Sequence, residues 1–408
     1  MRCKCKIGIA VMLFVLSLTT NVAAQITLVR DANPFAASSS PQNLTEVNGT
    51  LFFTADDGTS GRELWKSDGT GGNTLMLNDI NPGAADSSPG ELTNVVGKLY
   101  FTADDGSRGR ELWISDGTAV GTSMVEDIWL GAGNSSLPSQ LTNVNGILFF
   151  TADDGVNGRE LWKSNGTAAG TVLVKDIRSG AGNGSLPSDL TNVDGILFFT
   201  ADDGVNGREL WKSDGTAAGT ALVRDIRPGI GNGSSPGALT SIDGEVMFTA
   251  DDGVSGRELW RSDGTGPGTL LVKDVRPGSD SSSPGELTSV NGMLFFAAND
   301  GANGVELWRS DRTDSGTLLV KDIRTGSDSS SPGELTNVNG TLFFAADDGV
   351  NGIEIWKTSS ATLVFTSTGG GCFIASATGN GASSMILLLS LLLLTVAGIG
   401  YTIRRLRS

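Results

Sequence analysis

Gly158-Arg159-Glu160-Leu161-Trp162-Lys163-Ser164-Asn165-Gly166-Thr167 returns in nearly the same wording along most of the chain. Its tryptophan sets the period, because Trp65, Trp113, Trp162, Trp211, Trp260, Trp308 and Trp356 follow one another at intervals of 48 or 49 residues. Seven copies of one unit make a repeat protein, in which neighbouring copies bury each other's faces.

Read outward from Trp162, one unit holds four apolar pieces: 141–144, 147–152, 159–164 and 171–177. Asn145-Gly146, Asp153-Asp154-Gly155 and Asn165-Gly166 punctuate them, and a Gly- and Ser-rich crossover leads to Pro187. Each piece has the length and the Phe, Val, Trp and Thr content of a strand, and Asn-Gly or Asp-Gly between strands signals a tight hairpin. In the second piece Leu148 and Phe150 point one way and Phe149 the other; in the third, Leu161 and Trp162 take opposite faces. Both faces are therefore buried, as in a sheet wedged between two copies of itself. The expected fold is all-β, a seven-bladed β-propeller of four-stranded repeats about 49 residues long.

The copies are phased so that the chain opens on a fourth-strand word, 26–31, and its last full third strand is 353–357. The opening strand is expected to pair beside 353–357 and close the ring, removing exposed edges. A degenerate copy at 361–365 competes for the same slot.

The flanks read differently. Residues 1–24 have a basic start (Arg2, Lys4, Lys6), an apolar run over 7–18 and the small-residue close Val22-Ala23-Ala24, the pattern of a secretory signal peptide cleaved after Ala24. The propeller is assigned to 25–366 and a Gly/Ser-rich linker containing Cys372 to 367–384. Residues 385–403 form an uncharged apolar stretch of transmembrane length, and 404–408 a basic tail. The arginines hold that tail in the cytoplasm, so the propeller is expected to be exported and held at the membrane by this helix. The propeller itself is expected to be monomeric.

Composition narrows the function classes. The chain has 29 basic and 45 acidic residues, for a net charge of −16, and six of the basic groups (Arg2, Lys4, Lys6, Arg404, Arg405, Arg407) lie in the terminal segments. The middle thus carries about −22, a field that repels phosphate backbones and argues against nucleic-acid binding. With no histidine, Ser-His-Asp and Cys-His sites are excluded. The chain is expected not to be an enzyme and to carry no resident cofactor. Of three cysteines only Cys372 lies outside the leader, so no disulfide framework exists within one mature copy.

Residues 26–366 resemble the bacterial ELWxxDGT-repeat proteins, whose motif is spelled by Glu63-Leu64-Trp65-Lys66-Ser67-Asp68-Gly69-Thr70 and its later copies. Asn165 stands for the aspartate, Arg312 for the glycine, and the Asp-Gly-Thr element is missing after Trp356. The resemblance implies a propeller-like surface domain. Gly370, Gly371, Cys372, Phe373, Ile374 and Ala375 are similar to the Cys-Phe-Ile box at the C-termini of bacterial exported proteins, which implies processing or anchoring near Cys372.

Candidate chemistry lies in repeated carboxylates. Asp56-Asp57, Asp153-Asp154 and Asp202-Asp203, with further copies, offer hard oxygen ligands for calcium beside a glycine turn. The competing and favoured reading is that Asp-Asp-Gly starts a turn by bonding nearby backbone amides. The tryptophans are read as blade-to-blade core in preference to a sugar-binding ring. The repeated Glu63, Glu111, Glu160, Glu209, Glu258, Glu306 and Glu354 are read as a structural hydrogen bond or ion pair in every blade.

Symmetry is broken at Tyr100, Glu126, Trp129, Glu245 and Arg312, without a recognisable catalytic constellation. The expected function is a surface-anchored binding or adhesion scaffold for a glycan or surface-protein ligand. The alternative is a polysaccharide-active enzyme with a carboxylate site, which clustering of Glu126, Trp129 and Glu245 would favour.

Overall fold

The computed structural model describes residues 26–35, 37–358, 362–368 and 372–378. It is an all-β, seven-bladed propeller fold whose blades span 42–78, 90–126, 139–175, 188–224, 237–273, 285–321 and 333–357. Blades 1 to 6 are four-stranded antiparallel sheets in sequential order, and blade 7 has three strands. The only helical pieces among the described residues are the single turns Gly71–Asn73 and Ala168–Gly170.

Blade 3 shows how the sequence produces the sheet. Its strands are Ser139–Val144, Ile147–Asp153, Arg159–Ser164 and Val172–Lys175. Asn145 and Gly146 both have positive φ, 51° and 85°, the left-handed pair a two-residue hairpin needs. The register sets Phe150 opposite Trp162 and Phe149 opposite Lys163. Every first strand carries a bulge at a non-glycine residue with positive φ, such as Gln140 or Asp189, which increases local twist.

The core lies between blades. Val47, Phe52, Leu64, Leu77 and Ile80 of blade 1 and its crossover pack against Leu99, Phe101, Ala103 and Trp113 of blade 2. The same grouping recurs at the next junctions. The first six repeat tryptophans are buried, as expected of core residues, while Trp356 of blade 7 is half-buried.

Each buried glutamate latches its blade to the next. Glu160 accepts from the Ser185 N–H at 2.8 Å and from the Ser185 hydroxyl at 2.5 Å, and the Ser185 carbonyl in turn accepts from the Asp202 N–H at 3.0 Å in blade 4. Glu63–Ser87, Glu111–Ser136, Glu209–Ser234, Glu258–Ser282 and Glu306–Ser330 repeat this latch. Burial pushes the carboxyls of Glu63, Glu111, Glu160, Glu209 and Glu258 above the ordinary range, against the opposing pull of their donors.

Two expectations are corrected. Residues 26–31 do not pair beside Ile353–Lys357. They run extended over blade 1, where Arg30 Nη1 donates to the Thr74 carbonyl at 2.6 Å and its guanidinium lies 6.0 Å from the Trp65 ring centroid. Nor does 361–365 fill that slot: Thr362–Thr368 pairs with Cys372–Thr378 in a hairpin of its own. The two paired strands, rich in Val, Phe, Ile and Thr, extend into the stretch from residue 367 that was expected to be a Gly/Ser-rich linker.

Ala24 with the leader, and the stretch 385–403, lie outside the described residues. No helix among the described residues is long and apolar enough to cross a membrane.

Candidate functional site

A cleft of about 440 Å³ opens between blades 3 and 4, and one of about 330 Å³ opens at the equivalent place between blades 4 and 5. Four parts build each cleft. The first hairpin contributes Asn145 or Asp194, the second strand Phe149 or Phe198, the third strand Lys163 or Lys212, and the next blade's Asp-Gly-Thr turn Asp214-Gly215 or Asp263-Gly264. Asp214 lines both clefts.

The turn glycine is required here. Gly215 has φ +87°, and a Cβ on it would stand 3.0 Å from the Phe149 ring. Lys163 Nζ donates to the Gly215 carbonyl at 2.8 Å, closing one wall. Asp214 Oδ1 accepts from the Thr216 N–H at 2.8 Å and the Thr216 hydroxyl at 2.7 Å. The Thr216 hydroxyl and amide hold this carboxyl below the ordinary aspartate range, so it is ionised at neutral pH.

Between blades 1 and 2 the same Phe52, Lys66 and Gly117 set is kept, with Lys66 Nζ donating to the Gly117 carbonyl at 2.6 Å, but two later junctions are altered at this place. Between blades 2 and 3, Tyr100 and Ile114 replace the Phe and Lys pair and crowd Gly166. Between blades 5 and 6, Arg312 stands at the turn glycine's position with φ 76°. It reaches Asp243 at 3.0 Å and Glu245 at 3.6 Å, while Arg261 holds the other oxygen of Glu245 at 3.1 Å.

Glu245 and Arg312 are thus compensating partners that fill one cleft. Glu126 sits on the last strand of blade 2 opposite Leu112, and Trp129 lies over Gly155 of blade 3. Glu126, Trp129 and Glu245 do not converge on one pocket.

The paired aspartates make turns. Asp56 accepts from the Gly58 N–H, Asp153 from Gly155 and Asp202 from Gly204. Asp57 accepts from the Thr59 and Ser60 amides, Asp154 from Val156 and Asn157, and Asp203 from Val205 and Asn206. Asn299 serves Gly301 at 2.7 Å as Asp202 serves Gly204, so the turn needs an acceptor and not a charge. Among the described residues no three acidic or cysteine side chains gather as a metal site. Cys372 begins the last of the described strands, opposite Thr368.

The clefts themselves escaped the sequence reading. Their signal was present in the residue after each tryptophan: Lys66, Lys163 and Lys212, but Ile114 in the second copy and Arg261 and Arg309 in the fifth and sixth.

No family model and no curated protein matches the chain. Among solved structures it is similar to a prolyl endopeptidase (13% identity, 83% of this chain and 54% of that one, TM-score 0.46). It is also similar to the propeller domain of the Trilobed protease of Pyrococcus furiosus (10% identity, 85% of this chain and 100% of that one, TM-score 0.39). A third likeness is to the acylaminoacyl peptidase of Pyrococcus horikoshii (10% identity, 78% of this chain and 51% of that one, TM-score 0.36). The likeness is one of fold. The chain spans about half the length of the prolyl endopeptidase and of the acylaminoacyl peptidase.

These neighbours correct one expectation. Against the expectation of a non-enzyme, the prolyl endopeptidase and the acylaminoacyl peptidase are enzymes, matched here over about half of their length.

Proposed function

We propose that this chain is an exported, membrane-anchored binding scaffold of the ELWxxDGT-repeat kind, and that the two clefts sharing Asp214 are its ligand site. The observation that carries this reading is the pair of adjacent, equivalently built openings between blades 3, 4 and 5, while Arg312 fills the equivalent place between blades 5 and 6. Two like clefts around one carboxylate suit a ligand with a repeating unit. Backbone carbonyls, Asn145, Asp194 and Asp214 offer acceptors to hydroxyl groups. The acidic field favours a neutral or amino-bearing glycan over an anionic one. The leader and the apolar stretch 385–403 support an extracytoplasmic address.

A glycan array probed with the full chain in detergent tests this. Asp214→Asn keeps the turn, since Asn165 Oδ1 accepts the same bond from the Thr167 N–H. It should weaken the bound glycan by about tenfold, the scale of one lost charged hydrogen bond. Binding that ignores Asp214→Asn, Lys163→Ala and Lys212→Ala alike would place the ligand elsewhere, and an array with no bound glycan would reject the ligand class.

A further inference from the structure

The chain builds one junction six times and leaves half of it bare at each end. At an inner junction Val47, Phe52 and Leu64 of the outgoing face are buried, Leu64 completely. On blade 7 the equivalent Val338 is 45% exposed and Ile355 is 78% exposed, and beside them lies a cleft of about 690 Å³ lined by Thr336, Phe343, Ile353 and Glu354. Glu354 is exposed where its six counterparts are latched, and among the described residues blade 7 has no fourth strand.

The other half of the junction stands at the N-terminus. Residues 26–31 lie on blade 1 with Arg30 over Trp65, as Lys175 of blade 3 lies over Trp211 and Lys321 of blade 6 over Trp356. They hold the place of a preceding blade's fourth strand, and Ile26 and Leu28 are exposed. The Ser39 carbonyl already accepts from the Asp56 N–H at 3.0 Å, as the Ser87 carbonyl does from Asp104, but no glutamate reaches Ser39 among the described residues. Leu44 of the first strand is 64% exposed, whereas its counterparts Leu92 and Leu141 pack against the cores of their junctions.

We propose that the bare face of blade 7 receives residues 26–40 and blade 1 of a second copy, joining chains head to tail through a seventh junction like the other six. Glu354 then accepts from the Ser39 amide and hydroxyl of that copy. The Ile353 carbonyl accepts from the Ser40 N–H, as the Arg62 carbonyl does from Ser88 at 3.1 Å. Residues 27–30 become the missing fourth strand, with Leu28 opposite Trp356 by analogy with the Trp65–Met76 pair. A second copy fits because the six regular junctions leave the faces of one chain unjoined, and adding a copy changes none of them. Such a contact is heterologous, so it extends the array until it closes or becomes a filament. It also covers the open strand edge of Ile353–Lys357.

The test uses the full-length chain in detergent with Cys3, Cys5 and Cys372 replaced by serine. One preparation carries Ser40→Cys, the other Ile353→Cys, and the two are mixed with a short bis-maleimide. The expected result is a cross-linked pair from the mixture that grows with concentration and arises from neither preparation alone. Glu354→Lys in the second chain should abolish it with the circular dichroism unchanged. If a chain carrying both cysteines links only within itself and the mixture gives no pair, the chain's own N-terminus is the occupant and the proposal falls. It falls equally if no link forms in either format.

Discussion

At the scale of single residues, the repeat is held by a few side chains whose neighbours explain their recurrence. Trp162 is 9% exposed and belongs to the core between blades 2 and 3, so Trp162→Ala should cost about 3–5 kcal/mol in denaturant unfolding. Unchanged stability would mean that the ring is not core. The latch glutamates make a prediction about pH. Their carboxyls are raised in the folded state, so their contribution is fullest below the ordinary glutamate value and is lost as pH rises through the raised values. The turn aspartates Asp68, Asp116, Asp214 and Asp263 are lowered, chiefly by their threonine hydroxyls, and contribute above the ordinary aspartate value. Tm should therefore rise as pH falls from neutrality toward the ordinary glutamate range, and fall again once pH drops below the ordinary aspartate value. A Tm that declines steadily from neutrality would refute the assignment of the glutamates.

At the scale of elements, turn words set the strands and alternation sets their burial. The calcium and turn readings of the Asp-Asp-Gly element part cleanly in experiment. Asp154→Asn should leave Tm nearly unchanged and Asp154→Ala should lower it, because the carboxylate serves as an acceptor for the Val156 and Asn157 amides. Added calcium should shift neither; a calcium-dependent Tm lost in Asp154→Asn would restore the metal reading. Strand positions, the turn role of the aspartates and the hydrogen-bonding role of the glutamates were legible because each depends on neighbours close in sequence or one repeat away. The pairing of Arg312 with Glu245 and Asp243 was not, because it links positions about a repeat and a half apart through the blade stacking. The pairing of Thr362–Thr368 with Cys372–Thr378 was hidden because the glycine-rich sequence between them reads as linker.

At the scale of the whole molecule, the copy number was legible and ring closure was not. Matching words at the two ends state that they are complementary, whereas whether they meet depends on a small rotation repeated at six junctions, which no single repeat encodes. One junction, repeated six times, holds the array and is left half-made at blade 7. Hydrogen exchange read strand by strand tests it most directly. In dilute protein the third strands of blades 1 to 6 should share a common high protection, and Ile353–Lys357 should exchange much faster than its counterpart Val305–Ser310. Equal protection of the two strands in dilute, monomeric protein would show a closed ring and contradict the account.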